Sequence, residues 1–351
     1  MVGKTYVIGY YSTSYIEFIE ISFNKLFFYE KKRCWACGFQ ETIKWSKRKG
    51  KQRYKCINCG IFFTEKNEGV RRKNLLVWFE KWVIERLTYR YLKKDSGYSQ
   101  STLQRMFKSY LLTPPIFPIR RSNKAHLIID GTYFSNDLCL VLYWDNDVRY
   151  IQMYRFSNGE KYEQISEDLR NLHRLGIEVV SVTCDGKKGI IKAVNEVYPL
   201  ALIQRCIVHI HRQSLLFLRK KPKTEAAVEL IPIARMLCAV KNHNDRIFWI
   251  EMFHRWHLKH MDFINEKNRN EESGRWWYRH KNLRRATMLI SNAIPNLFHF
   301  LDNPEIPNST NALESFFGHL KDSLSIHRGL SYQNRKAFIQ WYLYFKNTNR
   351  T

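Results

Sequence analysis

Between residues 126 and 204 the apolar positions come in short unbroken blocks rather than at every third or fourth place. HLIIDGTYF (126–134), LCLVLYWD (138–145) and VRYIQMYRF (148–156) are rich in β-branched and aromatic residues, with Asn146-Asp147 between the second and third. That pattern predicts three strands, the last two forming an antiparallel hairpin. A helical stretch over about 161–175 follows, then the strand IEVVSVTC ending on Asp185 and a helix over about 187–197. The short strand ALIQ (201–204) comes next, and a further helix carries Cys206, His209 and His211. The order β-β-β-α-β-α-β-α predicts a mixed sheet covered by helices, an α/β fold.

On either side of this block the period becomes helical. Leu75, Leu76, Phe79, Trp82, Val83 and Leu87 fall near helical spacing. A second helix around Tyr89 to Lys94 ends at Asp95-Ser96-Gly97, and a third begins after Ser99, where Ser101 and Gln104 form a capping-box pattern. Short helix, glycine turn and capped helix is the outline of a helix-turn-helix. It sets Gln100, Ser101, Gln104 and Arg105 at the end that enters a major groove, although many such helix pairs bind nothing. TPPIFPIRR (113–121) reads as a linker, since its prolines rule out a helix interior. ELIPIARMLCAV, RIFWIEMFHRWHLKHMDFI and LRRATMLISNAIPNLFHFL predict a helical segment, and the tail predicts a last helix packed on the core.

Charge changes the picture. The chain has 58 Lys+Arg against 32 Asp+Glu, a formal charge of +26. An excess of that size points to an anionic polymer or surface rather than a small-molecule substrate. No run of eighteen apolar residues suggests a membrane span, and the expected location is cytoplasmic, associated with the nucleoid. The first thirty residues lack the apolar core and cleavage site of a signal peptide. They read as an extension of unknown role, either a short hairpin or translation from an upstream start.

Reduced cysteines then point to metal before disulfides. CWAC (Cys34, Cys37) and CINC (Cys56, Cys59) give C-x2-C-x18-C-x2-C, the spacing of a four-thiolate Zn2+ ribbon. Between Lys31 and Lys55 stand ten basic residues and one acid, so the stretch around the predicted turn at Gly50 is a candidate for phosphate contact. Lys47, Arg48, Lys49, Lys51 and Arg53 are its candidate DNA-binding residues; a solvated charged face is the plainer reading.

Two aspartates end or interrupt apolar strands and each precedes glycine: Asp130 in LIIDG and Asp185 in VSVTCDG. Asp-Gly is a strong turn dipeptide, so each is readable as a turn residue. If their strands are parallel neighbours, the two carboxylates lie side by side and could hold divalent metals for phosphoryl chemistry. Asn311-x-x-Glu314, on a helix after Pro307, reads from its pattern alone as a capping box. Cys206 and His209, three apart, are too few for a zinc site and read as structural support.

Taken together, DGTYF, SVTCDGKKGIIKAVNEVYPLALIQRCIVHIHR and IPNSTNALESFFGHLK resemble the Mutator-like DDE transposases, in particular the bacterial insertion-sequence branch with an N-terminal zinc ribbon. The resemblance runs from about residue 125 to the C-terminus. It implies an RNase H-like fold with an α-helical insertion, and an acidic triad of Asp130, Asp185 and Glu314 binding Mg2+ or Mn2+. Cys206, His209 and Asn311 would support that site. The implied reaction is DNA transposition, a form of DNA recombination: strand cleavage at inverted terminal repeats, then strand transfer into target DNA. The implied partners are double-stranded DNA and a second copy of the chain, as a homodimer or higher assembly on DNA.

The expected organisation is therefore an extension (1–30), zinc ribbon (31–66), helix-turn-helix (70–113), linker (114–122), core (123–220), helical insertion (221–305) and a return to the core (306–351). A non-enzymatic DNA-binding protein derived from a transposase accounts equally for the ribbon, the helix pair and the charge. Only the acidic positions separate the two readings, and a nuclease without strand transfer is a third.

Overall fold

The structure is a computed structural model, and it describes residues 6–7, 32–34, 39–64, 68–120, 124–135, 138–219 and 222–348. Cys37 and nearly all of the N-terminal extension lie outside them. The chain divides into two units, residues 120–317 and residues 1–119 with 318–351.

In chain order the unit of residues 1–119 with 318–351 begins with β1 (Tyr6–Val7), β2 (Thr42–Arg48), β3 (Lys51–Cys56), β4 (Phe62–Thr64), α1 (Glu68–Ile84), α2 (Tyr89–Ser96), α3 (Gln100–Leu112) and β5 (Phe117–Pro118). β2, β3 and β4 make an antiparallel sheet. The β2–β3 turn is Lys49-Gly50, both at positive φ (48° and 75°), the geometry a tight two-residue hairpin demands. α2 stops because Gly97 takes the left-handed conformation at φ 69°. α3 is capped by Ser99, whose hydroxyl accepts the Thr102 N–H at 3.2 Å. The capping box expected at Ser101 and Gln104 is therefore not used: both residues already lie inside the helix and are exposed.

The C-terminal helix α12 (Tyr332–Thr348) belongs to this same unit and not, as the sequence suggested, to the sheet-bearing core. The reason is an aromatic cluster. Phe79 of α1 meets Phe107 and Tyr110 of α3 and Trp341 and Phe345 of α12, with ring centroids 4.8–6.2 Å apart. Trp341 donates its indole N–H to the Tyr110 carbonyl at 2.9 Å. Trp341→Ala removes both packing and that bond, so a loss of about 3–5 kcal/mol is expected in a denaturant melt. A loss below 1 kcal/mol would show that α12 contributes little to this unit.

The unit 120–317 is built on β6 (Ala125–Phe134), β7 (Leu138–Asp145), β8 (Tyr150–Ser157), β9 (Val179–Cys184) and β10 (Leu202–Arg205). Their order across the sheet is β10-β9-β6-β7-β8. β6, β7 and β8 pair antiparallel; β9 lies parallel to both β6 and β10. Every residue of β7 is buried, as expected of a strand covered on both faces. α4 (Tyr162–Arg174), α5 (Lys188–Val197) and α6 (Ile207–Leu218) make the connections. The helical segment comprises α7 (Glu225–Met236), α8 (His243–Asn265), α9 (Lys281–Ala293) and α10 (His299–Asp302), and it shares a core with Ile207, Ile210 and Leu218 of α6. A small hairpin, β11 (Lys267–Arg269) and β12 (Trp276–Tyr278), interrupts it and was not foreseen. Buried Gln204 of β10 ties the segment back to the sheet, donating to the Leu297 carbonyl at 2.7 Å and accepting the Phe300 N–H at 3.3 Å. α11 (Asn311–Ile326) begins in this unit and ends in the other.

Candidate active site at the ends of the parallel strands

In the parallel pair β6–β9, Ile128 stands opposite Thr183. Continuing that register by two residues sets Asp130 level with Asp185. Asp130 is buried and accepts one hydrogen bond, 2.9 Å, from the N–H of adjacent Gly131. Burial pushes its carboxyl up to about 7; His209 and the Gly131 N–H oppose this, and the charges of Glu160 and Asp185 add to it. Asp185 accepts the Lys187 N–H at 3.0 Å, and its other oxygen lies 3.1 Å from the Lys187 ammonium.

Two other buried aspartates in this unit show what a purely structural carboxylate looks like. Asp145 accepts from Gln152 at 2.9 Å and from the Asp147 N–H at 3.1 Å, which closes the β7–β8 turn. Asp168 accepts from Tyr143 at 2.8 Å and from Arg155 Nε at 2.7 Å, which fastens α4 to the sheet. Protein donors satisfy both groups, as buried polar groups require. Asp130 has no such set.

The glycines following Asp130 and Asp185 are also explained here. A Cβ on Gly131 would lie 2.8 Å from Cδ of Glu160. Gly186 adopts φ +84°, and a Cβ there would fall 1.7 Å from Nε of buried Arg205, whose Nη2 donates to the Asp185 carbonyl at 3.2 Å. Both Asp-Gly pairs are thus more than turn signals: each glycine makes room for a charged side chain beside its aspartate.

Glu314 is brought in by a different route. The loop before α11 is stitched to the sheet where Thr183 Oγ1 donates to the Pro307 carbonyl at 2.7 Å and Ile207 N–H donates to the Asn308 carbonyl at 3.0 Å. Buried Thr310 caps α11 through its carbonyl, which accepts the Leu313 and Glu314 N–H groups. This overturns the capping-box reading, because Asn311 is already the first helical residue and Glu314 the fourth. The Glu314 carboxylate instead pairs with Arg212, and its Oε1 lies 3.8 Å from His209 Nε2.

Cys206 and His209 hold this arrangement. Cys206 is the residue before α6 rather than a member of its face. Its sulfur accepts the Thr310 N–H at 3.3 Å, while the Thr310 hydroxyl lies 3.6 Å from that sulfur and 3.3 Å from His209 Nδ1. Burial alone would raise the Cys206 thiol, but its bonds with His209 and Thr310 outweigh that and hold it below the ordinary range. The bond to Cys206, opposed by burial and reinforced by the charges of Cys206, Asp130 and Glu314, brings His209 up to about 9. His209 therefore feels both Asp130 and Glu314, and is the link between Asp130 and the helix. Asn311, expected to support the site, is exposed, and buried Thr310 beside it makes the contacts with Cys206 and His209.

Residues 145–261 match the family described as Transposase, Mutator family. That stretch, about a third of the chain, is similar to the Mutator-family transposases. The matched stretch takes in Asp185, Cys206 and His209, with Asp130 before it and Glu314 after it. No curated protein matches the chain. The similarity supports transposase function in general terms, and no helix among the described residues is long and apolar enough to cross a membrane.

Two further features suit a Mutator-like transposase. The sulfurs of Cys34, Cys56 and Cys59 lie within 4.8 Å of one another, and Cys34 and Cys59 are 3.6 Å apart. Tetrahedral zinc with bonds of ~2.3 Å sets sulfurs about 3.7 Å apart, so the cluster fits that ion. The β2–β3 hairpin presents Lys47, Arg48, Lys49 and Lys51 exposed, while Arg53 is half-buried over the Phe62 ring at 5.2 Å. On α3, Gln100, Ser101, Gln104 and Arg105 are all exposed. Trp276 and Trp277 of the unforeseen hairpin are exposed as well, with Lys267 4.4 Å from the Trp276 ring.

The oxygen donors of Asp130 and Asp185 fit a hard divalent cation. Sequence reasoning missed Glu160, Thr310, Arg205 and Arg212. Glu160 lies in SNGEK and Thr310 in NSTN, both of which read as surface turns, and only the fold brings them to this pocket.

Proposed function

We propose that the chain is a DDE transposase with an RNase H-like core, binding the inverted terminal repeats of an insertion sequence and catalysing divalent-metal-dependent DNA cleavage and strand transfer. The observation that carries the proposal is the contrast among the buried carboxylates of this unit. Asp145 and Asp168 are saturated with protein donors, whereas Asp130 keeps one local bond beside Asp185 and faces a histidine that also meets Glu314. The strand order β10-β9-β6-β7-β8, three antiparallel strands followed by two parallel ones, supports the RNase H-like reading.

Asp130, Asp185 and Glu314 would hold Mg2+ or Mn2+, which stabilises the attacking and leaving oxygens of an in-line displacement at phosphorus when bound. The protein's own part is positional. The β6–β9 register, continued two residues past Ile128 and Thr183, would bring the two aspartates level, and the Cys206–Thr310–His209 contacts would hold the start of α11 and hence Glu314. Three thiolates, with Cys37 as the fourth, would hold Zn2+ in a ribbon whose hairpin lies along phosphates, while α3 reads the groove as the second helix of a helix-turn-helix.

The positional role is separable. Thr310→Val keeps the volume but removes the hydroxyl between Cys206 and His209. Cleavage at saturating DNA is expected to slow about 10- to 100-fold, since small misplacements of a reacting group cost that much. DNA affinity should not change, and Thr310→Ser should restore the rate. A Thr310→Val enzyme as fast as the parent would remove Thr310 from the mechanism.

The whole reading is tested with duplex DNA carrying the repeats that flank the gene, a supercoiled target plasmid and Mg2+ or Mn2+. The expected products are strands nicked at the repeat ends and joined target molecules. Cleavage without joining would make the protein a nuclease, and binding without cleavage would make it a non-enzymatic DNA-binding protein.

A further inference from the structure

A third acidic side chain enters the Asp130–Asp185 pocket from a loop. Glu160 lies between β8 and α4, and its side chain is only 1% exposed. Its Oε2 pairs with the Lys187 ammonium, while its Oε1 is buried and bonds nothing. The carboxyl rests on Gly131, where a Cβ would stand 2.9 Å from Oε1, so it packs directly beside Asp130 in the chain. Lys187 reaches Asp185 as well, at 3.1 Å from Oδ2.

One ammonium thus bridges two carboxylates, and a third, Asp130, stands next to them with His209 as the cation that opposes its charge. An oxygen buried without a partner is costly, and nothing local requires Glu160 to bear that cost. Asp168, buried just beyond on α4, shows that this fold supplies donors where a carboxylate serves structure alone. Three carboxylates offering only oxygen suit a divalent cation. Lys187 itself is 46% exposed, so its side chain has solvent to move into.

We propose that Glu160 is a further oxygen ligand of the divalent-ion centre at Asp130 and Asp185, and that Lys187 is the counter-ion that bridges Glu160 and Asp185 until the ion binds. The proposal rests on the reading of Asp130 and Asp185 as a metal centre, and it goes beyond the triad in naming a fourth carboxylate and a cation that must yield. It also accounts for Gly131, since any side chain there would push the Glu160 carboxyl away.

The test is Mn2+ binding by the zinc-loaded full chain, followed by calorimetry or by the Mn2+ electron spin resonance signal. Mn2+ favours oxygen donors over the ribbon thiolates. The parent is compared with Asp185→Asn, Glu160→Gln, Glu160→Asp and Lys187→Ala, each checked for folding by far-UV circular dichroism. The expected result is affinity lowered on the order of 10- to 100-fold in both Glu160 variants, lost in Asp185→Asn and raised in Lys187→Ala. Glu160→Asp keeps the charge but shortens the reach, so it decides the matter even if Glu160→Gln misfolds. Parent-like affinity in Glu160→Asp means that Glu160 acts through charge alone or not at all, and the ligand role falls while the metal centre stands. Unchanged or weaker binding in Lys187→Ala overturns the counter-ion role. Absence of binding in the parent, or parent-like binding in Asp185→Asn, overturns the metal centre and Glu160 with it.

Discussion

Asp185→Asn is expected to lower metal-dependent strand cleavage by on the order of 10³-fold or more, about 4 kcal/mol of transition-state stabilisation, while leaving repeat-end binding within about twofold of the parent. The substitution is nearly isosteric. The amide oxygen can still accept the Lys187 N–H that the carboxylate accepts at 3.0 Å, so the turn into α5 should hold. What disappears is one negative charge at the point where a divalent ion would be bound. Asp145→Asn is the control. It replaces a carboxylate that already accepts from Gln152 and two backbone N–H groups, so it should cost stability and not chemistry in particular. The assay is cleavage of end-labelled repeat DNA in Mg2+, paired with a mobility shift in Ca2+. Cleavage by Asp185→Asn at the parent rate would return Asp185 to the status of a turn residue. Loss of end binding together with cleavage would mean that the residue holds the fold rather than the metal.

Removing zinc is the second large effect. Mass spectrometry or atomic emission is expected to find one zinc per chain, and a strong chelator or Cys56→Ser should release it. Structural zinc supplies about 10–16 kcal/mol of folding free energy in small zinc modules. Among the described residues, Tyr54, Ile61 and Phe63 are the buried apolar side chains of the sheet of β2, β3 and β4 beside the cysteines. Without the ion the hairpin that aligns Lys47, Arg48, Lys49, Lys51 and Arg53 should come apart. If those five cations contact phosphates, the slope of log affinity against log salt becomes shallower by about 4–5. Repeat-end affinity at low salt should fall with it. An unchanged slope in the zinc-free protein would mean that the charged hairpin is a solvated face and that DNA is gripped elsewhere.

Much of the sheet was legible in the sequence. β7 was read with the residues at which it begins and ends, because a strand buried on both faces leaves an unbroken apolar run and its turns must be polar. The α2–α3 pair was legible for the same kind of local reason, since Gly97 is at the position that needs a left-handed residue. Local pattern misled at helix starts. Ser101 and Asn311 satisfy a capping box on paper, but Ser99 and Thr310 are the caps, because a helix begins where its neighbours can hold the first turn. It also misplaced α12, whose apolar face matches any apolar core and whose choice of α1 and α3 depends on the shape of the aromatic cluster around Phe79.

For the site, the sequence by itself singled out candidates within a strand or a motif: Asp130, Asp185, Cys206, His209 and the paired cysteines. Each breaks a local rule that can be read within a few positions. The tertiary structure alone decided which of them meet and what completes them. Thr310 comes to Cys206 across 104 residues of chain, Glu314 to Arg212 across 102, and Glu160 to Lys187 across 27. A contact between such distant positions leaves no periodic trace, because the chain between them is shaped by its own burial and not by the pocket it closes.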